Sequence, residues 1–366
     1  MWGDIAIAFL LAFITAFLAT PYSIKLAYKV GAIDVPKDER RMHKKPIPRI
    51  GGIAVIIGFV VSIMYLVITC SIDGNLNLFG PEQYGKKLIG LFLGIAVLSI
   101  FCIIDDIKSI PPLMKLLGQL IAACIVVASG VTIGRINVAP FGIDINLHQI
   151  IARILTVCWI VGITNAINLI DGLDGLSTGI SIISCVSLLI IFTLNESPLI
   201  AIIIVTALIG ALSGFIPFNF NPAKTFLGDV GSNFIGFTMS VLSIIGIAKT
   251  YTAVVIVLPV IVLGLPIFDT LAAIVRRIVT GKSLKAVFQA DKGHLHHRII
   301  AKGYTQKQAV LILYGISVAF GMFAIVLFES GIWKALSFAL MVIIVISLGY
   351  KELFRMKEED NKNEGK

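Results

Sequence analysis

Eleven times along the chain, a run of predominantly apolar residues is long enough to cross a lipid bilayer. The runs are Ile5–Ala27, Gly52–Cys70, Leu88–Ile104, Leu116–Ile133, Ile150–Ile170, Leu176–Thr193, Pro198–Ile216, Phe234–Ala248, Tyr251–Val275, Ala309–Phe328 and Ile332–Tyr350. Roughly 17–25 apolar residues in a helix span the hydrocarbon. No water is available there to bond exposed N–H and C=O groups, so such runs fold as helices. Only 14% of residues are charged and 57% are hydrophobic, against about 25% charged in a soluble domain. The expected fold class is an all-α polytopic membrane protein with about eleven transmembrane helices. Residues 1–350 are expected to form a single integral-membrane domain. The tail over 351–366, ending in KEEDNKNEGK, is polar and expected to be disordered.

An odd number of spans puts the two termini on opposite sides, and the positive-inside rule chooses the orientation. With the N-terminus outside, the inner side holds eight Lys/Arg between Lys25 and Arg49, two at Lys108 and Lys115, one at Lys224, eight between Arg276 and Lys307, and five from Lys351 onward. That is 24 of the 30 basic residues, so N-out, C-in is expected. The start, MWGD, lacks a basic n-region and reads as an uncleaved first span. The net charge of +9 then lies mostly on the cytoplasmic face, which suits anionic headgroups or nucleotides. Val131–Leu147 alternates loosely around Pro and Gly, so a short external hairpin is expected there. The five cysteines fall in or beside apolar runs without metal-ligand spacing and read as small buried hydrophobes.

Polar clusters interrupt the pattern, and each follows an odd-numbered span. RRMHKKPIPRIGG carries His43, Lys45 and Arg49. IIDDIKSIPPLMK carries Asp105, Asp106 and Lys115. NAINLIDGLDG carries Asn165, Asn168, Asp171 and Asp174. FNFNPAKTFLGDVGS carries Asn219, Asn221, Lys224, Phe226 and Asp229. DKGHLHHR carries Asp291, Lys292, His294, His296, His297 and Arg298. All five therefore fall on the cytoplasmic side, as one convergent site requires.

Two carboxylates at a helix C-terminus oppose its macrodipole, so Asp105 and Asp106 call for a cation; Lys115 could neutralise one of them. Asp171 and Asp174 share a face if the segment is helical, with Asn165 and Asn168 continuing it. Asp-Gly is also a strong turn signal. Gly172 and Gly175 permit close backbone approach to a ligand. Asp229, between Gly228 and Gly231, is an oxygen ligand of the kind that Mg2+ takes together with substrate phosphates. Phe226 offers a ring to a base. The tight HxHH spacing, without cysteine, fits anion binding better than a structural zinc site. Asp269, inside the ninth run, fits a structural partner and a site group equally.

These five motifs, in this order, resemble the polyprenyl-phosphate N-acetylhexosamine-1-phosphate transferases over roughly Ala19 to Lys307. PRIGG and the single HxHH are similar to the WecA/TagO branch rather than the MraY branch. The resemblance implies transfer of GlcNAc-1-phosphate from UDP-GlcNAc to undecaprenyl phosphate, giving UMP and undecaprenyl-diphospho-GlcNAc. This is a first membrane step toward teichoic acid, O-antigen or a similar polymer. It implies Mg2+, with Mn2+ as a substitute, held by Asp229 with Asp105 as second ligand. Asp105 and Asp106 would orient or deprotonate the lipid phosphate. Asn219, Phe226, Asp171 and Asp174 would form the uridine side. His294, His296, His297 and Arg298 would engage the donor diphosphate or sugar. Lys45, Arg49, Lys115, Asn165 and Asn168 complete the substrate-binding set. The resemblance also implies a bacterial plasma-membrane location, a cytoplasmic active site and a homodimer; nucleic acid is not an expected partner. The alternatives are an MraY-type phospho-MurNAc-pentapeptide transferase and, from another class, a transporter. Against a transporter, the sequence holds no inverted repeat, and its polar clusters fall on one side, not at the midplane.

Overall fold

Helix follows helix along the chain, as the apolar runs require. The computed structural model describes residues 2–36, 45–72, 83–138, 143–246, 257–281 and 293–364. In order these form α1 (Trp2–Val30), β1 (Ile33–Asp34), β2 (Ile47–Pro48), α2 (Gly52–Ile72), α3 (Gln83–Lys108), α4 (Pro112–Ala128), β3 (Arg135–Val138), β4 (Ile143–Asn146), α5 (Gln149–Ile170), α6 (Leu176–Leu194), α7 (Leu199–Asn219), α8 (Gly228–Ile245), α9 (Val257–Val262), α10 (Gly264–Gly281), α11 (Leu295–Ala301) and α12 (Gln306–Glu364). His43, Asp291 and Lys292 lie outside the described residues.

Eight of these helices are long and apolar enough to cross a membrane by length and composition: α1, α2, α3, α5, α6, α7, α8 and α12. The difference from eleven arises at three places. The fourth run forms α4, shorter than the others. The described part of the ninth run is broken into α9 and α10. Pro266 has no N–H to offer Val262, and the freed Val262 carbonyl instead accepts a hydrogen bond from Ser184 Oγ of α6 at 3.2 Å. The tenth and eleventh runs are joined in α12 across Gly331, whose φ of 80° breaks the helical path. Helical backbone continues to Glu364.

The core sits around α7, which is apolar on every face and buried along most of its length. It packs against α1, α2 and α6. α8 is equally buried but rich in Gly, Ser and Thr, the small residues that let helix backbones approach in a membrane. A Cβ on Gly236 would stand 2.7 Å from Thr164 Cα of α5. α8 begins at Gly228, six residues before the expected start of the eighth run. The GDVGS part of the FLGDVGS segment is thereby drawn into the helix, and Asp229 occupies its first turn.

The expected hairpin is present as β3 paired antiparallel with β4, Arg135 opposite Asn146. A second ladder was not foreseen: β1 pairs with β2, Ile33 opposite Pro48. It is two residues long, too short for periodicity to reveal.

Candidate active site

The acidic pair at the end of α3 faces the beginning of α8. Asp106 Oδ1 accepts from Asp229 N and its Oδ2 from Val230 N, both at 3.0 Å. The carboxylate thus caps α8 and meets the positive end of that helix, which offsets its unfavourable place at the end of α3. Its side chain is fully buried, with Arg49 Nη2 3.6 Å away. Gly228 makes this approach possible. Its φ is +72°, and a Cβ there would run into the Arg49 carbonyl and lie 2.7 Å from Asp106 Oδ2.

Asp105 takes the other direction. Its Oδ1 accepts from Ile110 N at 2.7 Å, closing the chain turn before α4. Its carboxyl also touches that of Asp229. Lys115 Nζ lies 2.6 Å from Asp229 Oδ2 and 3.5 Å from Asp105 Oδ2. Asn168 Nδ2 donates to Asp229 Oδ1 at 2.7 Å and to Ser232 Oγ at 2.8 Å. One layer deeper, Gln119 Nε2 donates to Asn165 Oδ1 at 3.2 Å and to Asn233 Oδ1 at 2.8 Å. Asn165 Nδ2 returns a bond to Gln119 Oε1 at 2.7 Å. These amides tie α4, α5 and α8 together beneath the carboxylates.

A cavity of about 1140 Å³ opens beside this cluster. Of the anticipated residues it is lined by Lys45, Arg49, Asn168, Asp171, Asp174, Asn219, Phe226, Asp229 and His297. Asp105, Asp106, Lys115, Asn165, His294, His296 and Arg298 are not in its wall. Asn165 is engaged by Gln119 rather than facing the cavity. Asp171 and Asp174 do not share a helical face: α5 ends at Ile170, Asp171 is its C-cap, and the segment turns. The turn still delivers both carboxylates to the wall. Asp174 Oδ2 accepts from Asn221 Nδ2 at 2.8 Å and Ala223 N at 3.1 Å. Burial, followed by the charges of Asp229, Asp106 and Asp174, pushes the Asp171 carboxyl up to about 8. Asn219 lines the wall, yet Thr178 Oγ1 donates to its Oδ1 at 2.7 Å and its Nδ2 donates to the Thr225 carbonyl at 3.0 Å. It therefore braces the loop that presents Phe226.

The histidine segment is the short helix α11. Arg298 is exposed on it. His296 is 2% exposed, and its ring stands against Gly172, where a Cβ would lie 2.8 Å from Cε1. Burial, and then the neighbouring His297 and His294, push His296 down to about 4, so it is neutral near pH 7. The first glycine of the DGLDG turn is thus approached by a histidine ring.

Sequence reasoning missed Gln119, Ser232, Asn233, Gln306 and Tyr314. Gln119 and Asn233 each stand four residues after a site residue, Lys115 and Asp229, so an i, i+4 search along an apolar run finds them. Gln306 Oε1 accepts from Asn221 Nδ2 at 2.9 Å and lines the cavity. Tyr314 donates to the Gly175 carbonyl at 2.5 Å. Neither carries a signal in the sequence.

Two touching carboxylates repel unless a proton or a cation lies with them, and Lys115 supplies one positive charge. Asp229 and Asp105 are hard oxygen donors of the type Mg2+ takes. Among the described residues no three His, Cys, Asp or Glu form a ready metal cage. Two carboxylates alone would leave most positions of a cation's shell to other oxygens, which for Mg2+ are commonly substrate phosphates and water.

Membrane-length helices enclosing an acid-lined cavity beside a lysine-bridged pair of carboxylates describe an integral-membrane protein with a charged internal site. Residues 88–247 match the glycosyl transferase family 4 model. The chain is 36% identical over 344 residues to a probable undecaprenyl-phosphate N-acetylglucosaminyl 1-phosphate transferase of Bacillus subtilis, covering 94% of this chain and 90% of that one. It is 32% identical to a decaprenyl-phosphate N-acetylglucosaminephosphotransferase of Mycolicibacterium smegmatis, covering 94% and 88%. It is 29% identical to a phospho-N-acetylmuramoyl-pentapeptide-transferase of Bacillus cytotoxicus, covering 89% and 96%. The chain belongs to glycosyl transferase family 4.

Proposed function

We propose that the protein transfers GlcNAc-1-phosphate from UDP-GlcNAc to undecaprenyl phosphate, releasing UMP. The observation that carries this reading is a single cavity joining Asp229, Asp171, Asp174, Phe226 and His297, in a chain whose family relatives at 36% and 32% identity are named as polyprenyl-phosphate GlcNAc-phosphate transferases. A phosphate oxygen of the lipid attacks the sugar-bearing phosphorus. The bond to the UMP oxygen breaks, and the electron pair leaves with UMP.

Both reactants are anions, so the residues must manage charge. Mg2+, held by Asp229 with Asp105 as second ligand, would when bound offset the charge of the donor diphosphate. Asp105 orients the lipid phosphate or takes its proton. Lys115 gives up part of its hold on Asp229 to a phosphate oxygen. Phe226 stacks on the base, and Asp171 and Asp174 face the uridine side. His297 reaches the diphosphate or sugar. In this reading eleven spans cross the membrane with the N-terminus outside, and the cavity opens to the cytoplasm. A C55-type tail then stays in the bilayer while its phosphate reaches the site. Cysteines placed at Pro36 and Gly281 should label from the cytoplasm, and ones at Gly74 and Gly142 from outside. Gly74 and Gly281 labelling from one side would overturn this topology.

The test of the reaction is purified protein with Mg2+, undecaprenyl phosphate and a panel of UDP-sugars, with UMP release as readout. UDP-GlcNAc should be the turned-over donor. Turnover of UDP-MurNAc-pentapeptide with refusal of UDP-GlcNAc would move the protein to the other branch. UMP release that does not depend on the lipid would refute the transferase reading.

A further inference from the structure

Asp269 lies outside the cavity and outside the chemistry described above. It sits on α10 beside Ile267, Phe268 and Leu271, and it is only 8% exposed. A carboxylate in such surroundings is costly unless both oxygens are bonded. Both are. Asp269 Oδ2 lies 2.8 Å from His294 Nδ1, and Oδ1 accepts from Leu295 N at 2.8 Å. His294 is the N-cap of α11 and Leu295 its first residue. His294 itself provides no side-chain cap for that helix, so the cap comes from another helix.

The consequence runs down α11. A seven-residue helix is too short to hold itself together by backbone bonds alone. The Asp269 carboxylate fixes its first turn and the orientation of the His294 ring. The His294 ring lies parallel to that of His296, with centroids 5.9 Å apart. His296 in turn rests on Gly172 of the turn that carries Asp171 and Asp174. His297, one residue on, reaches the cavity wall. The chain from α10 to the donor side of the cavity is therefore continuous: Asp269, His294, His296, Gly172 and, beside them, His297.

We infer that Asp269 is a positioning residue for the transfer. It holds α11 in the register that brings His297 to the donor, and it touches neither substrate. This rests on the proposed reaction, which supplies both the readout and the donor role of His297. Asp269 acts on the donor side alone, because the groups for the lipid phosphate hang on α3 and α4.

The experiment is a steady-state comparison of Asp269→Asn, Asp269→Glu, His294→Ala and the double variant Asp269→Asn/His294→Ala, in detergent-purified full-length protein with both substrates varied. Asp269→Asn keeps the shape but removes the charge and one acceptor. It should raise the KM for UDP-GlcNAc about tenfold, the effect of losing a charge-assisted hydrogen bond. The KM for undecaprenyl phosphate should stay within about twofold. Asp269→Glu should restore part of the loss. The double variant should be no worse than the poorer single variant, because both act through one contact. Unchanged kinetics in Asp269→Asn, an equal fall for both substrates, or additive losses in the double variant would each overturn the inference. If Asp269→Asn does not yield folded protein, Asp269→Glu and His294→Ala carry the same substrate comparison. Wild-type protein that uses a different UDP-sugar would correct the donor assignment, and the Asp269 comparison would then be run with that sugar.

Discussion

Asp229 is fixed by contacts from three other helices, whereas His297 is carried on a seven-residue helix whose first turn is capped by a carboxylate of α10. At the acid end, α3 supplies Asp106 to the backbone of Asp229, α4 supplies Lys115, and α5 supplies Asn168. An amide layer of Gln119, Asn165 and Asn233 locks α4, α5 and α8 from below. At the histidine end, the latch is Asp269 with His294 and Leu295 N. The contrast matches two demands of phosphoryl transfer. Groups that order charge at the reacting phosphorus must be placed in advance, since a small misplacement is expensive. Groups that grip the donor must let it enter and UMP leave. A short helix, capped by a carboxylate from another helix and packed through Leu295, Ile299 and Ile300 on an apolar cluster, suits the second demand.

The largest effect should come from the rigid end. Asp229→Asn keeps size and removes the charge that a divalent ion needs, and should lower kcat by about a thousandfold or more while the protein stays folded. Near wild-type rates across a Mg2+ titration would remove Asp229 from the metal role. Next is Asp106→Ala, which leaves the amides of Asp229 and Val230 without their acceptor. It should cost about 1–3 kcal/mol of stability and, by displacing Asp229, about a hundredfold in kcat. A lower melting temperature with kcat intact would mean that Asp229 keeps its position without its cap. Third is His297→Ala at the histidine end. Here kcat/KM for UDP-GlcNAc should drop by roughly tenfold, with the KM for undecaprenyl phosphate hardly altered. A change confined to the lipid would assign α11 to the other substrate.

The smallest effect concerns pH, and here two neighbouring groups have opposite signs. Asp171, pushed up to about 8 by burial and neighbouring carboxylates, is protonated in the fold over a range where the unfolded chain is ionised. It costs stability increasingly as pH rises from about 4 to about 8. Asp171→Asn should therefore stabilise more at about pH 8 than at about pH 5. His296, pushed down to about 4 by burial and its histidine neighbours, stays neutral where the unfolded imidazole takes a proton. It costs stability as pH falls below about 6.5. His296→Gln should show its benefit toward low pH. Melting curves for variants and wild type that run parallel across pH would show that neither group carries this cost.

The positions of the apolar runs and the five polar clusters were legible in the sequence, because period and polarity are local properties. So was membership of the family, because its motifs are contiguous. What the sequence withheld depends on pairs far apart in the chain. Asp106 looked like a partner of Asp105, but its partners are amides 123 and 124 residues away. Asn165 looked like a pocket residue beside Asn168, but it is engaged by Gln119 of α4. His294, His296 and His297 looked equivalent, yet one meets Asp269, one rests on Gly172, and one lines the cavity. The eighth apolar run was placed too late because polarity was taken to end a helix, whereas Asp229 sits inside the first turn under the Asp106 cap.

The pairing of the PRIGG segment with the start of α8 sets a schedule for synthesis. Phe226 N donates to the Pro48 carbonyl, Gly51 N to the Phe226 carbonyl and Gly52 N to the Leu227 carbonyl, at 2.8, 3.0 and 2.8 Å. Thr225, which also donates to Pro48, follows it by 177 residues. A ribosome adding about 5–20 residues per second leaves the first segment without these partners for about 9–35 s after it emerges. In hydrocarbon those unpaired groups would be prohibitive, so the segment must wait where water can serve them. The nascent chain is therefore already anchored through several helices while its cavity lacks the wall that the start of α8 supplies. A protein released before α8 would be inserted, membrane-bound and catalytically silent.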